Sequence, residues 1–300
     1  MDTSMLSFLA APFVASLVIA GIHAYLGVHV VERGVIFVDL SLAQIAAFGS
    51  TIALLPFMER VLPFAGGDPH GPAVYWISLL FTILGAVLFS TIRSRRARIP
   101  QEAIIGIAYA VASAATILAM SKATSESEHL KDMLVGNILA VSWEEVWRTA
   151  ALYAVIGAFH YAYRQRFLLI SLEPEKAVAQ GLSLRFWDFL FYASFGFVVT
   201  RSVSIAGVLL VFCYLIVPSV AAMLYADRIC PRLAIGWTMG TVVSALGVYL
   251  SLLLDLPTGA TIVCTFGLVL IIMAAVRPLL QRHTPADVHH VNYADRAHGH

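Results

Sequence analysis

The feature that most constrains this chain is the recurrence of apolar stretches about as long as a bilayer is thick. A hydrocarbon core of about 30 Å is crossed by about 20 helical residues. Stretches near that length parse at 7–29, 36–57, 74–93, 102–121, 147–163, 186–203, 205–225, 233–254 and 260–280. Lipid offers no partner to a backbone N–H or C=O, so such stretches must fold as helices that bond internally. The expected fold is therefore all-α: a polytopic transmembrane helical bundle of about eight or nine spans. Composition agrees, because 60% hydrophobic and 12% charged residues leave too little polar surface to cover a soluble domain. Between 186 and 225 the one polar interruption is Thr200-Arg201-Ser202-Val203-Ser204, which is expected to separate two spans or to mark a tilted or re-entrant stretch. Gly34, Gly49, Gly106, Gly207 and Gly247 lie in or beside the spans, where small residues let helix backbones approach.

Orientation follows from Lys and Arg, which are retained on the cytoplasmic side. Arg93, Arg95, Arg96 and Arg98 form the densest group, followed by Arg164 with Arg166, Arg228 with Arg232, and Arg277 with Arg282. All fall on one side if the N-terminus is outside and the C-terminus is cytoplasmic. Glu32, Arg33 and residues 172–183 share that side. The opposite side receives 58–73, 122–146 and the Asp255-Leu-Pro-Thr-Gly259 turn. No cleavable signal peptide is expected, since Asp2 stands where a basic region would be. Residues 1–281 read as one transmembrane domain. Residues 282–300 read as a flexible cytoplasmic tail rich in histidine, with His283, His289, His290, His298 and His300.

Several function classes drop out. A net charge of +1 argues against a nucleic-acid partner, which needs clustered basic residues. Cys213, Cys230 and Cys264 lack the spacing of a disulfide framework or a metal site. The chain has no GxxxxGK[ST] phosphate loop, no HExxH helix and no GxSxG elbow. It reads as no enzyme, and any pumping must draw energy from another subunit or an ion gradient.

Three sets of polar residues are left as candidates. Glu173-Pro-Glu-Lys-Ala-Val-Ala-Gln-Gly181 is polar and helix-compatible between apolar stretches. Gly181 would end the helix, and Glu175, Ala177, Ala179 and Gly181 suggest a small-residue face against which a partner could sit. Asp39 stands between Val35-Ile36-Phe37-Val38 and an apolar helix. A carboxylate there is costly unless it faces the bundle interior or water, and so is functional by default, with helix capping as the alternative. Gln44, five positions on, points about 140° away around a helix. Glu126, Glu128, His129 and Asp132 cluster on the outer side. Carboxylate oxygens with an imidazole suit manganese, iron or zinc, although a solvated acidic loop has the same composition. His23, His29 and His160 read as core or interface histidines.

Several segments taken in order resemble one family, the membrane permease subunit of bacterial ATP-binding-cassette importers for zinc, manganese or iron (ABC-3). They are Gln101-Glu-Ala-Ile-Ile-Gly106, Leu134-Val-Gly-Asn-Ile-Leu-Ala-Val141, Glu173–Gly181, Gly207-Val-Leu-Leu-Val-Phe-Cys-Tyr-Leu-Ile-Val-Pro218 with Ala221-Ala222, and Leu254-Asp-Leu-Pro-Thr-Gly-Ala260. The resemblance covers roughly residues 10–280. It implies a homodimer in the bacterial inner membrane, a separate ATP-binding-cassette ATPase docked on the cytoplasmic side, and an extracytoplasmic metal-binding protein that delivers the cargo. Glu173, Glu175, Ala177 and Gly181 would then belong to the ATPase-coupling element. Asp39 and Gln44 would face the path of the transported Mn, Fe or Zn ion, with no cofactor retained. The family commonly carries an Asp and, four residues on, a His in its second span. Here Gln44 has Leu40 at that spacing, which favours manganese or iron over zinc. The alternative is a gradient-driven secondary transporter of a metal ion or small solute, for which intramembrane acids or an inverted repeat are expected.

Overall fold

A computed structural model describes residues 3–55, 58, 71–92, 99–121 and 138–281. Among them are eleven α-helices: α1 Thr3–Glu32, α2 Val38–Ala53, α3 Pro72–Ile92, α4 Gln101–Met120, α5 Trp143–Ala162, α6 Arg164–Leu172, α7 Pro174–Ala179, α8 Leu184–Ala206, α9 Val208–Tyr225, α10 Ile229–Leu254 and α11 Thr258–Gln281. One 3-10 turn, Ile138–Ala140, precedes α5, and no described residue lies in a strand.

A helix stands at each of the nine stretches read from the sequence. Seven are both long and apolar enough to cross a membrane: α1, α3, α4 and α8 to α11. α2, with 16 residues, is shorter. α5 has membrane length, but Glu144, Glu145 and Arg148 charge its first turns. Its start is fixed by a capping box, in which the Glu145 N–H donates to Ser142 Oγ at 3.3 Å and the Ser142 N–H to Glu145 Oε2 at 3.0 Å. The outward surfaces of α4 and α11 carry Ile107, Val111, Leu118 and Ile271, each more than 60% exposed. An aqueous surface would not tolerate that much bare hydrocarbon, whereas lipid covers it at no cost.

The helices form two packed groups. α2 lies against α3 and α4, with α3 also against α8; α1 lies against α9 and α10, which pack with α11. Close approach depends on glycine. A Cβ on Gly49 would come 2.9 Å from Phe81 Cβ, and one on Gly247 would come 2.8 Å from Ile262 Cα. The tightest crossing is at Gly27, where a Cβ would be driven into the Leu215 carbonyl and the Ser219 hydroxyl. By contrast, Gly106 meets nothing within 4 Å.

One boundary differs from the sequence reading. Thr200-Arg201-Ser202-Val203-Ser204 does not interrupt the chain but lies within α8. Thr200 and Ser202 are buried, and their hydroxyls bond to side chains on neighbouring helices, Thr82 on α3 and Tyr153 on α5. The break falls at Gly207 (φ 76, ψ 161), which ends α8 and begins α9. That backbone region is essentially closed to residues with a Cβ. The turn read at 255–259 is shorter, Asp255-Leu256-Pro257 joining α10 to α11 with Thr258 and Gly259 already helical, and Asp255 itself is left-handed at φ 51.

Candidate functional site

Asp39 lies in the first turn of α2 and is 1% exposed. It does not cap the helix: Phe37 holds the N-cap position, with no side-chain cap bond. Instead, Glu102 at the start of α4 reaches across and accepts the Phe37 N–H at 3.0 Å. Asp39 Oδ1 has no hydrogen-bond partner within the described structure. Tyr153 on α5 is also buried in the bundle interior. Its hydroxyl ties α5 to α8, donating to the Val198 carbonyl at 3.1 Å and also bonding Ser202. Gln44, 8% exposed, is buried with Asp39 along the same helix.

His23 on α1 is a second buried polar side chain. Its Nδ1 lies 2.9 Å from the Ile19 carbonyl. A carbonyl only accepts, so Nδ1 carries the proton and Nε2 presents a lone pair. Nε2 is buried without a partner, and the ring meets Tyr153 edge-on at 6.4 Å. An imidazole oriented through a backbone carbonyl in this way is poised as an acceptor or ligand. His23 was read from sequence as a core histidine and it is one. Which of its nitrogens is satisfied depends on a helix-internal contact that spacing alone does not reveal.

The second element is the 164–181 segment. α6 is anchored by Phe167 and Ile170, both fully buried. The Phe167 ring stacks on His160 at 4.4 Å and meets Trp187 edge-on at 5.4 Å. His160 in turn contacts Ser194 Oγ at 2.8 Å and Tyr25 at 3.3 Å. α7 begins with Pro174 at a position where a missing N–H costs nothing. It ends at Gly181 (φ 79), with the Gly181 N–H donating to the Val178 carbonyl at 2.9 Å and the Leu182 N–H to the Ala177 carbonyl at 3.0 Å.

Exposure divides the segment. Ala177 is fully buried and turns toward the bundle, so its small side chain lets α7 sit close to its own protein and is not part of an outward face. Glu173, Glu175, Ala179 and Gly181 are exposed, and Glu173 pairs with Lys176. Three outward apolar side chains were not singled out in the sequence: Leu172, Val178 and Phe186, at 43%, 48% and 55% exposure. Only Val178 carried a signal there, as a large hydrophobe inside the polar 173–181 segment; Leu172 and Phe186 belong to the apolar runs on either side.

Glu126, Glu128, His129 and Asp132 lie outside the described residues, as does the 282–300 tail. Among the described residues, no group of three or more His, Cys, Asp and Glu is placed to hold a metal ion.

Comparison with known proteins places this arrangement. The family model described as the ABC 3 transport family matches residues 5–277. The chain belongs to that family. Within the ABC 3 family it is similar to the manganese transport system membrane protein MntC of Listeria monocytogenes, at 24% identity over 91% of each chain. It is also similar to a probable iron transport system membrane protein of Haemophilus influenzae, at 26% identity over 94% of this chain and 99% of that one. Its fold matches a chain of PsaBC from Streptococcus pneumoniae in complex with Fab, with a TM-score of 0.72, 23% identity and coverage of 89% of this chain and 90% of the other. It also matches an inward-facing conformation of a putative metal-chelate type ABC transporter, with a TM-score of 0.66 and 19% identity over 92% and 89% of the two chains. The chain is thus a multi-pass helical membrane protein of an ABC transport family, as the ordered motifs suggested.

Proposed function

We propose that this chain is the permease subunit of an ATP-binding-cassette importer that carries a divalent metal ion, manganese, iron or zinc, across the bacterial cytoplasmic membrane. The observation that carries this reading is Asp39, a carboxylate inside the bundle of an ABC-family chain with one oxygen left unsatisfied. Burying such a group without function is costly, and a hard cation is the partner it lacks. The relatives' names, manganese and iron transport proteins, support the same class of cargo. The path would run past Asp39 and Gln44, and the buried Nε2 lone pair of His23 is a further candidate ligand. A path must release what it binds, so ligands few in number suit it better than a closed cage.

The engine is a separate ATPase docking on α6 and α7 at the cytoplasmic face, with the N-terminus outside and the C-terminus inside. Leu172, Val178 and Phe186 supply apolar contact there, and Glu175 supplies charge. Two copies of the chain would form the permease, and an extracytoplasmic metal-binding protein would deliver the ion, with Glu126, Glu128, His129 and Asp132 as candidate receivers.

The test is reconstitution. The chain is co-expressed with the candidate ATPase and inserted in liposomes, and uptake of Mn²⁺, Fe²⁺ and Zn²⁺ is followed with ATP inside or outside. Uptake that requires ATP on the face bearing residues 172–183 is expected. Uptake by the chain alone, driven by a proton gradient, would replace this reading with a secondary transporter.

A further inference from the structure

Two adjacent residues at the end of α1 reach in different directions. Glu32 is the last residue of α1 and Arg33 follows it. Gly34 then turns the chain at φ 66, with its N–H donating to the Val31 carbonyl at 3.0 Å and the Val35 N–H to the Val30 carbonyl at 3.2 Å. This tight exit leaves the two side chains pointing to separate neighbours.

Arg33 holds the 164–181 segment and α8. Its Nε donates to Ser171 Oγ, in the last turn of α6, at 2.9 Å, and Nη1 donates to Asp188 Oδ1 on α8 at 2.7 Å. The guanidinium lies 4.0 Å over the Phe191 ring. Ser171 Oγ is also 2.9 Å from His29 Nδ1, so α1 grips the end of α6 at two successive turns. The Arg33 and Asp188 side chains are 1% and 0% exposed. Glu32 fastens α1 to its own group through an ion pair with Arg232 on α10, and Arg232 Nε donates to the Ala226 carbonyl at the end of α9 at 2.9 Å.

A buried ion pair is poor evidence for added stability, since well-packed apolar residues often serve as well or better; its best-attested use is in fixing register or serving a switch. Here the Arg33–Asp188 pair joins the end of α1 to α8, across the two helix groups and beside the end of α6, while the Glu32–Arg232 pair fastens α1 to α10 within its own group. α8 belongs with α2 and α3, and α10 with α1, α9 and α11. A shift of α6 reaches Arg33 directly through Ser171, and the charge-assisted bond to Asp188, short and geometrically specific, links the same guanidinium to α8.

We propose that Glu32 and Arg33 are positioning residues that form a two-way yoke. It converts displacement of the 164–181 segment into movement of the α1–α9–α10–α11 group relative to the α2–α3–α4–α8 group. The inference rests on the ATPase-docking reading of α6 and α7. The yoke touches neither cargo nor nucleotide, and its role is to make each ATP cycle move the bundle.

The test uses the full permease–ATPase complex in liposomes. It measures ATPase co-purification, ATP hydrolysis, and Mn²⁺, Fe²⁺ and Zn²⁺ uptake. The first variant is the double substitution Arg33→Met with Asp188→Leu, which keeps the corner filled and removes both charges. The second is Glu32→Gln, at a partly exposed position that tolerates a neutral isostere. Both are expected to retain the ATPase and its hydrolysis while uptake per ATP falls at least fivefold. Exchanging the pair, Glu32→Arg with Arg232→Glu, is expected to recover at least half of the ratio. Unchanged uptake per ATP in Glu32→Gln would overturn the yoke, even if the double variant fails to assemble. So would loss of the ATPase with an unaltered ratio in the complex that remains. Failure of the unsubstituted chain to retain an ATPase would instead remove the docking reading beneath it.

Discussion

Replacing Asp39 with Asn should make the protein more stable and less useful. The substitution keeps the shape and removes the charge of a side chain that is 1% exposed and has an unsatisfied Oδ1. Leaving a buried polar group without a partner costs about 1–3 kcal/mol, and more when the group is charged. The amide still leaves an oxygen unpaired, so relief near the lower end, about 1–2 kcal/mol, is expected. For a chain of this size each kcal/mol corresponds to roughly 2–4 °C, so the melting temperature of the detergent-purified permease should rise by a few degrees. Metal uptake in the reconstituted complex should fall at least tenfold, because the amide lacks the negative charge that attracts a divalent cation into a low-dielectric interior. The assay pairs a thermal melt followed by size-exclusion with uptake on the same preparation. A lowered melting temperature would mean that the carboxylate has a protein partner and helps hold the bundle. Undiminished uptake would remove Asp39 from the cargo path, whatever the melt shows.

Other substitutions probe the remaining steps. Gly27→Ala forces a Cβ into the Leu215 carbonyl, and the clash should cost about 1–3 kcal/mol and sharply reduce the yield of folded protein; normal yield and melting would refute that crossing. Glu102→Ala removes the acceptor for the Phe37 N–H and should lower stability by about 1 kcal/mol, as loss of a helix cap does, while Glu102→Gln should retain most of it. Glu175→Arg, at an exposed position of α7, should abolish ATPase pull-down without affecting membrane insertion; an unchanged pull-down would count against docking there.

Much of the architecture was legible because lipid imposes a length rule on apolar helices. The nine stretches each became a helix, and a turn stands at Asp255-Leu256-Pro257, the first part of the 255–259 segment. The rule failed at the 186–225 pair. Polar Thr200 and Ser202 were read as a break, but hydroxyls inside a bundle can bond across helices, as both do here. The true break rests on one glycine, Gly207, whose positive φ leaves no hydropathy signal. Asp39 was legible as a buried charge because its surroundings are apolar over several residues. That Glu102 would take over the capping role was not, since the two lie far apart in sequence and meet only when α4 packs on α2. The orientation of Ala177 was equally hidden, because a helix as short as α7 has too few positions for a periodic pattern to mark its inner face. Arg33 could be placed at one end of the bundle by the Lys/Arg rule, but its pairing with Asp188 is a product of the tertiary fold.

The central claim is that this bundle is moved from the cytoplasm through α6 and α7. Its most direct test places a single cysteine at Val178, 48% exposed, in a chain whose Cys213, Cys230 and Cys264 have been replaced. Labelling by a membrane-impermeant maleimide in inverted vesicles, blocked when the ATPase is bound and absent in intact cells, is the result predicted. Labelling in intact cells would put the segment on the wrong face of the membrane and contradict the account.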